Sequence, residues 1–239
     1  MNFKRLTLPA ILAAGLATPA FADVTGNIGV FSEYMFRGVA QTTGAAVQGG
    51  MDYSHSSGFY AGLWGSNVNT VAGGGTEASN ELDLYSGFIF KAGDVNIDLG
   101  GIAYVYSEDK EAAGAENNLD FVEGYLGLSF GPLAVKGYYS PDYLNKSVES
   151  IYTTATLTFA LNDSTSVFVQ GGYTDVDSTA LTETYADFSG GISKSLADGL
   201  SFTLAAVATD NREVITNGTL APISDEPKLV ISGKKVFGF

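Results

Sequence analysis

The sequence predicts an all-β fold, a membrane-spanning up-and-down antiparallel β-barrel of about 12 strands. Two observations carry that reading. Segments of period two recur along the chain, and the connections between them alternate strictly between short and long. Composition agrees: 30 Gly, 13 Tyr and 15 Phe against only 6 Pro favour strands over helices.

The N-terminus is set aside first. Lys4 and Arg5 form a positive start, Leu6 to Leu16 a short apolar core, and Ala20-Phe21-Ala22 an A-x-A cleavage site. Residues 1–22 therefore read as a secretory signal peptide, too short in its apolar run for a membrane helix. The mature chain, residues 23–239, reads as one domain. Losing two basic residues with the leader makes it more acidic than the net −14 of the full sequence. That balance argues against nucleic acid, whose phosphates need a basic patch. With no cysteine, an exported chain must be held by its own packing or by a membrane. After Ala22 no apolar run approaches the ~18 residues of a helical span.

The segments fall at 24–37, 46–56, 58–67, 80–91, 94–107, 118–130, 133–140, 149–161, 164–175, 182–195, 199–210 and 226–239. In each, alternate residues separate into two faces. Leu82, Leu84, Phe88 and Phe90 oppose Asp83, Tyr85 and Gly87. Val95, Ile97, Leu99, Ala103 and Val105 oppose Asn96, Asp98, Gly100, Tyr104 and Tyr106. Five connections are tight: Ser57-Gly58, Ala92-Gly93-Asp94, Gly131-Pro132, Asn162-Asp163 and Asp198-Gly199. These residues favour turns by preset or positive φ. The other six connections are longer, polar or Gly-rich. A bacterial outer-membrane barrel has an even strand count, short periplasmic turns and long outer loops, whereas a soluble sandwich has no reason to sort its loops. Most segments are also long enough to cross a bilayer at barrel tilt. The predicted localisation is the outer membrane of a Gram-negative bacterium, with outer-membrane lipid as one partner.

The chain ends at Phe239, two residues after Phe237. A terminal aromatic on an alternating strand resembles the signal read by barrel-assembly machinery, a second expected partner. Lys235 departs from that pattern, since its face should be apolar. Aromatics collect at strand ends. Tyr34, Phe36, Tyr106, Tyr138, Tyr139, Tyr143 and Tyr173 lie near long loops, and Phe59, Tyr60, Phe90, Phe130 and Phe159 near tight turns. They are expected to form two interfacial girdles.

The run Ser32-x-Tyr34-x-Phe36-Arg37-Gly38-x-x-Gln41-Thr42, continued by Ala46-Val47-Gln48-Gly49-Gly50-x-Asp52-Tyr53-x-His55-x-Ser57-Gly58-Phe59-Tyr60-x-Gly62-x-Trp64-x-Ser66-Asn67-Val68, resembles the proteobacterial Gcw_chp family, also called the TorF porin family. Members often have Pro where this chain has Ala45. The resemblance implies an outer-membrane barrel acting as a porin.

Candidate chemistry is sparse. The single histidine, His55, precedes a tight turn, and no serine can be placed beside it as a nucleophile by spacing; no catalytic residue is assigned. Without Cys or paired His, no metal ligand set is assigned either. The acidic runs Asp175-Val176-Asp177 and Ser224-Asp225-Glu226 read as solvated loops. Gly73-Gly74-Gly75 lacks the Lys-Ser/Thr and helix of a phosphate cradle. No cofactor is expected.

With each apolar face turned to lipid, Glu33, Arg37, Asp52, Asp83, Asp98, Glu123, Lys136 and Asp187 point inward as pore-lining candidates. An acid surplus in a narrow tube concentrates cations. Tyr85, Tyr104, Tyr106, Tyr125 and Tyr152 also point inward and take up space. Tyr34 and Phe36 share the face of Ile28 and Val30. Glu33 and Arg37 take the other, ~13 Å apart along one strand, so each is expected to pair across to another strand. The leading reading is a passive, weakly cation-preferring channel for small solutes or ions. The alternatives are a closed structural or adhesion barrel acting through its loops, a barrel enzyme, and a soluble periplasmic β-protein. No feature marks a trimer face, and a homo-oligomer is left open.

Overall fold

The computed structural model describes residues 23–69, 78–107, 119–177, 183–210, 213–216, 219–222 and 227–239. The expected signal peptide and the Gly73-Gly74-Gly75 and Ser224-Asp225-Glu226 runs lie outside them. Twelve strands form the wall: β1 (Asp23–Phe31), β2 (Ala46–Ser54), β3 (Phe59–Asn67), β4 (Asn80–Ala92), β5 (Val95–Tyr106), β6 (Phe121–Phe130), β7 (Leu133–Ser140), β8 (Glu149–Asn162), β9 (Thr165–Asp177), β10 (Glu183–Ser195), β11 (Leu200–Thr209) and β12 (Lys228–Gly238). Each pairs antiparallel with its sequence neighbours, and β1 closes the cylinder by pairing with β12 from Thr25↔Gly238 to Phe31↔Ser232. Closure satisfies every strand edge, the condition for β-structure in hydrocarbon.

Tight turns gather at one rim. There Gly58 has φ +92° and sits against the backbone of Ile89 in β4, where a Cβ would collide with the carbonyl oxygen. Only glycine fits both conditions. Both described ends lie at this rim, where the Phe239 amide donates to the Val24 carbonyl at 3.0 Å.

Burial runs opposite to that of a soluble protein. Large apolar side chains cover the outside, among them Ile28, Leu84, Phe88, Leu99, Leu126, Ile151, Val169, Phe188 and Ile231. Inside, Glu81, Asp83, Glu123 and Asp187 are each no more than 2 % exposed. An apolar outer wall around a polar interior is what a bilayer demands. Basic side chains on the outer face sit at the tight-turn rim. Lys235 donates to the Asp198 carbonyl, and Lys194 donates to Ser164 Oγ at 2.7 Å. Lys235, the residue at odds with its apolar face, thus leads its ammonium out of the wall toward the rim.

Two expectations need correction. The first segment, 24–37, does not run as one strand, because β1 stops at Phe31. The girdle assignment fails for five of the seven long-loop aromatics. Tyr34, Tyr106 and Tyr138 are buried inside, and Tyr143 packs edge-on against Phe121, itself buried. Phe36 packs inside against Tyr104. Tyr139 and Tyr173 do face outward. At the other rim Phe90, Phe130 and Phe159 are exposed, and Phe59 packs on the outward Phe88, but Tyr60 is buried inside. Strand-end position alone does not tell lumen from lipid; parity along the strand does.

Candidate functional site: a hairpin locked inside the barrel

After Phe31 the chain leaves the wall and folds into the lumen. A two-stranded hairpin, Met35–Phe36 with Val39–Ala40, turns at Arg37 and Gly38. Both turn residues have positive φ, +49° and +79°. This is the type I′ geometry that closes a two-residue hairpin, and Gly at the second position relieves it. The base is tied by the Tyr34 amide donating to Thr42 Oγ1 at 2.9 Å and by the Gln41 amide donating to the Tyr34 carbonyl at 2.7 Å.

The tip reaches across the lumen. Gly38 lies against Thr209 of β11 and Asp187 of β10 so closely that a Cβ would clash with both side chains. Arg37 extends to β6, where its Nη2 donates to Glu123 Oε2 at 2.6 Å. Tyr104 of β5 donates to the same oxygen at 3.1 Å. The guanidinium carbon sits over three rings, at 4.4 Å from the centroid of Tyr152, 4.7 Å from Phe36 and 5.2 Å from Tyr138. A desolvated contact of this kind is worth about 2 kcal/mol or more. Burial removes water from both partners: the side chains of Arg37 and Glu123 are 4 % and 0 % exposed.

Around this clamp the outer half of the lumen is full. Tyr34 and Tyr106 both donate to Glu81 Oε1, at 3.3 and 3.2 Å. Tyr34 meets Trp64 edge-on at 5.5 Å, and Tyr104 stacks on Phe121 at 4.3 Å. Val68, Ala78, Leu119 and Leu144, from the bases of other long loops, are buried above.

The half nearer the tight turns differs. Lys136 of β7 pairs with Asp98 of β5 at 2.9 Å, and its ammonium lies 3.6 Å from the Tyr125 centroid. Asp98 also accepts from Tyr60 at 2.6 Å, and the Tyr60 and Tyr125 hydroxyls meet above Gly87 and Gly100. Tyr85 donates to Asp52. Tyr60 and Tyr125 are buried, but Asp52, Tyr85, Asp98 and Lys136, with Thr154, Thr156, Gln170 and Ser201, are only half-buried.

All eight pore-lining candidates thus have an interior position, though by two routes. Asp52, Asp83, Asp98, Glu123, Lys136 and Asp187 sit at inward strand positions. Glu33 and Arg37 enter with the segment after β1, and both pair elsewhere as expected, Arg37 with Glu123 and Glu33 with Lys228 at 3.2 Å. Glu81, Lys228 and Lys234 also face inward and were missed. Period two counted back from Asp83 or on from Lys228 would have found Glu81 and Lys234. His55 lies at the tight-turn rim, where its Nδ1 and the Ser57 hydroxyl share a hydrogen bond at 2.9 Å and close the turn. Asp175 belongs to β9 and not to a loop.

The profile of Gcw_chp, described as a bacterial protein of unknown function, matches residues 14–237. The chain belongs to that family. No curated protein matches it in sequence. Among solved structures, this Gcw_chp barrel is similar to the KdgM porin, at TM-score 0.55 and 8 % identity, covering 90 % of this chain and 99 % of that one. The same porin has been solved in complex with a disordered oligogalacturonate, at TM-score 0.54. The NanC porin aligns at TM-score 0.52 and 11 % identity, covering 90 % of this chain and 98 % of that one. At such identity the likeness is one of fold: an outer-membrane barrel.

Proposed function

We propose that the protein is an outer-membrane channel for passive diffusion of small hydrophilic solutes or ions, weakly cation-preferring, with the hairpin after β1 as its obstruction. One observation carries this reading. The element filling the lumen is a loop held to the wall by a buried ion pair, while the wall behind it is polar. A barrel meant to be solid would fill more economically with apolar wall side chains, because buried ion pairs seldom repay their desolvation.

The acid surplus inside sets the sign. Glu33, Asp52, Glu81, Asp83, Asp98, Glu123 and Asp187 outnumber Arg37, Lys136, Lys228 and Lys234. A low-dielectric tube with that balance draws cations and repels anions. It therefore disfavours an acidic oligosaccharide such as the oligogalacturonate in the KdgM complex. No residue is assigned a catalytic role.

The test is single-channel recording in planar bilayers under a KCl gradient. It compares the intact protein with one in which residues 33–44 are replaced by a two-glycine link. The expected result is resolved steps with a cation-selective reversal potential, larger after the deletion. Absence of steps from both proteins would overturn the reading. A second reading, a closed structural barrel, is favoured by the near-complete burial of Glu81, Asp83 and Glu123, and that same outcome would establish it.

A further inference from the structure

We infer that the cage around Arg37 is a binding site for small organic cations bearing a guanidinium or ammonium group, and that Arg37 occupies it as a built-in competitor. The inference rests on the channel reading, since it names what the lumen takes up once the hairpin leaves.

The cage belongs to the wall and not to the hairpin. Glu123 comes from β6, Tyr104 from β5, Tyr138 from β7, Tyr152 from β8 and Asp187 from β10. Strand parity turns each inward whether or not the hairpin is present. Only the guanidinium and the Phe36 ring are brought in from outside. With Arg37 truncated and the rest of the hairpin in place, the cage would keep a water-excluded carboxylate at Glu123, while Asp187, which accepts from Tyr152 at 3.4 Å, lies against the hairpin tip. An uncompensated buried charge is costly, so such a carboxylate either takes a proton or takes up a cation.

The fit of Arg37 is incomplete. Only one oxygen of Glu123 receives the guanidinium; Glu123 Oε1 and Arg37 Nη1 are buried without a hydrogen bond. A guanidinium normally meets a carboxylate as a two-pronged fork. Here the stem, fixed by a positive-φ turn whose tip is jammed against Asp187 and Thr209, holds it off that geometry. A free guanidinium has no stem and could rotate to use both prongs.

The cage also selects its ligand. Aromatic faces with one or two carboxylates suit planar or alkylated, weakly hydrated cations. They supply too few oxygens for a metal ion, and no acid or histidine group that could hold one occurs among the described residues. The wall repeats the pattern. Lys136 is held by Asp98 and the Tyr125 ring, and its ammonium also faces Tyr138, 5.4 Å from the centroid. Tyr125, Tyr138 and Tyr152 are direct neighbours in register. The two cages therefore share a ring and stand side by side.

The probe is methylguanidinium chloride, with neutral N-methylurea as the shape control. The proteins are wild type, Arg37→Ala, and Arg37→Ala combined with Glu123→Gln; Arg37→Gln replaces Arg37→Ala should the latter not fold. Binding is read in detergent from thermal melting and from the fluorescence of Trp64, the single tryptophan, which packs on Tyr34. The expected result is a raised melting temperature and a fluorescence change in Arg37→Ala at millimolar methylguanidinium. Wild type should need about tenfold more, because a tethered competitor has to be displaced. N-methylurea should have no effect, and adding Glu123→Gln should abolish the response. A folded Arg37→Ala that ignores methylguanidinium, or answers equally to N-methylurea or without Glu123, overturns the inference. Conductance separates the two readings. Current through Arg37→Ala that methylguanidinium neither blocks nor meets with binding removes the site and leaves the channel. Binding with no current from any of these proteins removes the channel and leaves the site.

Discussion

The two halves of the lumen are built by the same strands yet hold their charges differently. In the outer half, Arg37 and Glu123 are 4 % and 0 % exposed and surrounded by rings. In the inner half, Lys136 and Asp98 pair at a similar distance but remain 17 % and 14 % exposed. The separation is set by what lies above each pair. A loop folded in from the wall shuts water away from the first, while only wall side chains surround the second. The contrast teaches that a barrel wall supplies polar chemistry evenly, and a single inserted segment decides where that chemistry becomes dry. Water exclusion then fixes how much each pair matters, because burial raises both the attraction and the penalty for losing one partner.

The comparison can be broken from its strongest side. Glu123→Ala leaves Arg37 buried and unpaired, and should destabilise the folded barrel by about 3–5 kcal/mol, measured by urea unfolding in lipid vesicles. Asp98→Ala should cost less, about 1–2 kcal/mol, since water reaches the ammonium left behind. Equal losses would mean that the two halves are equally dry. Gly38→Val tests the hairpin without altering charge. It forces a β-branched residue into positive φ and pushes a side chain into Thr209 and Asp187. An expected loss of about 1–3 kcal/mol should come with a larger channel conductance, and unchanged conductance would argue that the hairpin does not limit flow. Lys228→Ala removes a pair whose lysine is 40 % exposed, so a change under about 1 kcal/mol is expected. His55→Ala alters only an exposed turn, and within about 0.5 kcal/mol no effect on stability is expected.

The wall was legible because each strand repeats one local rule. Leu82, Leu84, Phe88 and Phe90 could be placed outside and Asp83 and Tyr85 inside from parity alone, and the tight turns announce themselves through residues such as Gly58 and Gly131. The hairpin was not legible for the same reason. Tyr34 and Phe36 continue the alternation of Ile28 and Val30, and a period of two reads identically whether the chain climbs the wall or bends into the tube. The available signal was Arg37-Gly38, a dipeptide suited to a two-residue turn, but a glycine at the end of a segment fits any loop. That Arg37 needs a partner could be argued from its charge. That the partner is Glu123, 86 residues away, depends on how far the hairpin reaches across the barrel, and no local pattern encodes that distance.

A cylinder one sheet thick resists stretching along its hydrogen bonds but flattens easily, because bending each strand junction slightly costs little. The hairpin springs from β1, at the seam where the sheet closes, and ends on β6 and β10, which stand well round the circumference from it. Glu123 and Asp187 therefore receive a cross-brace as well as a counter-charge. While Arg37 is seated, the cross-section is tied between walls, and sideways pressure from the bilayer meets a strut. Were it to lift out, the tube would be free to ovalise, and the width of the lumen would pass from the loop to the surrounding lipid.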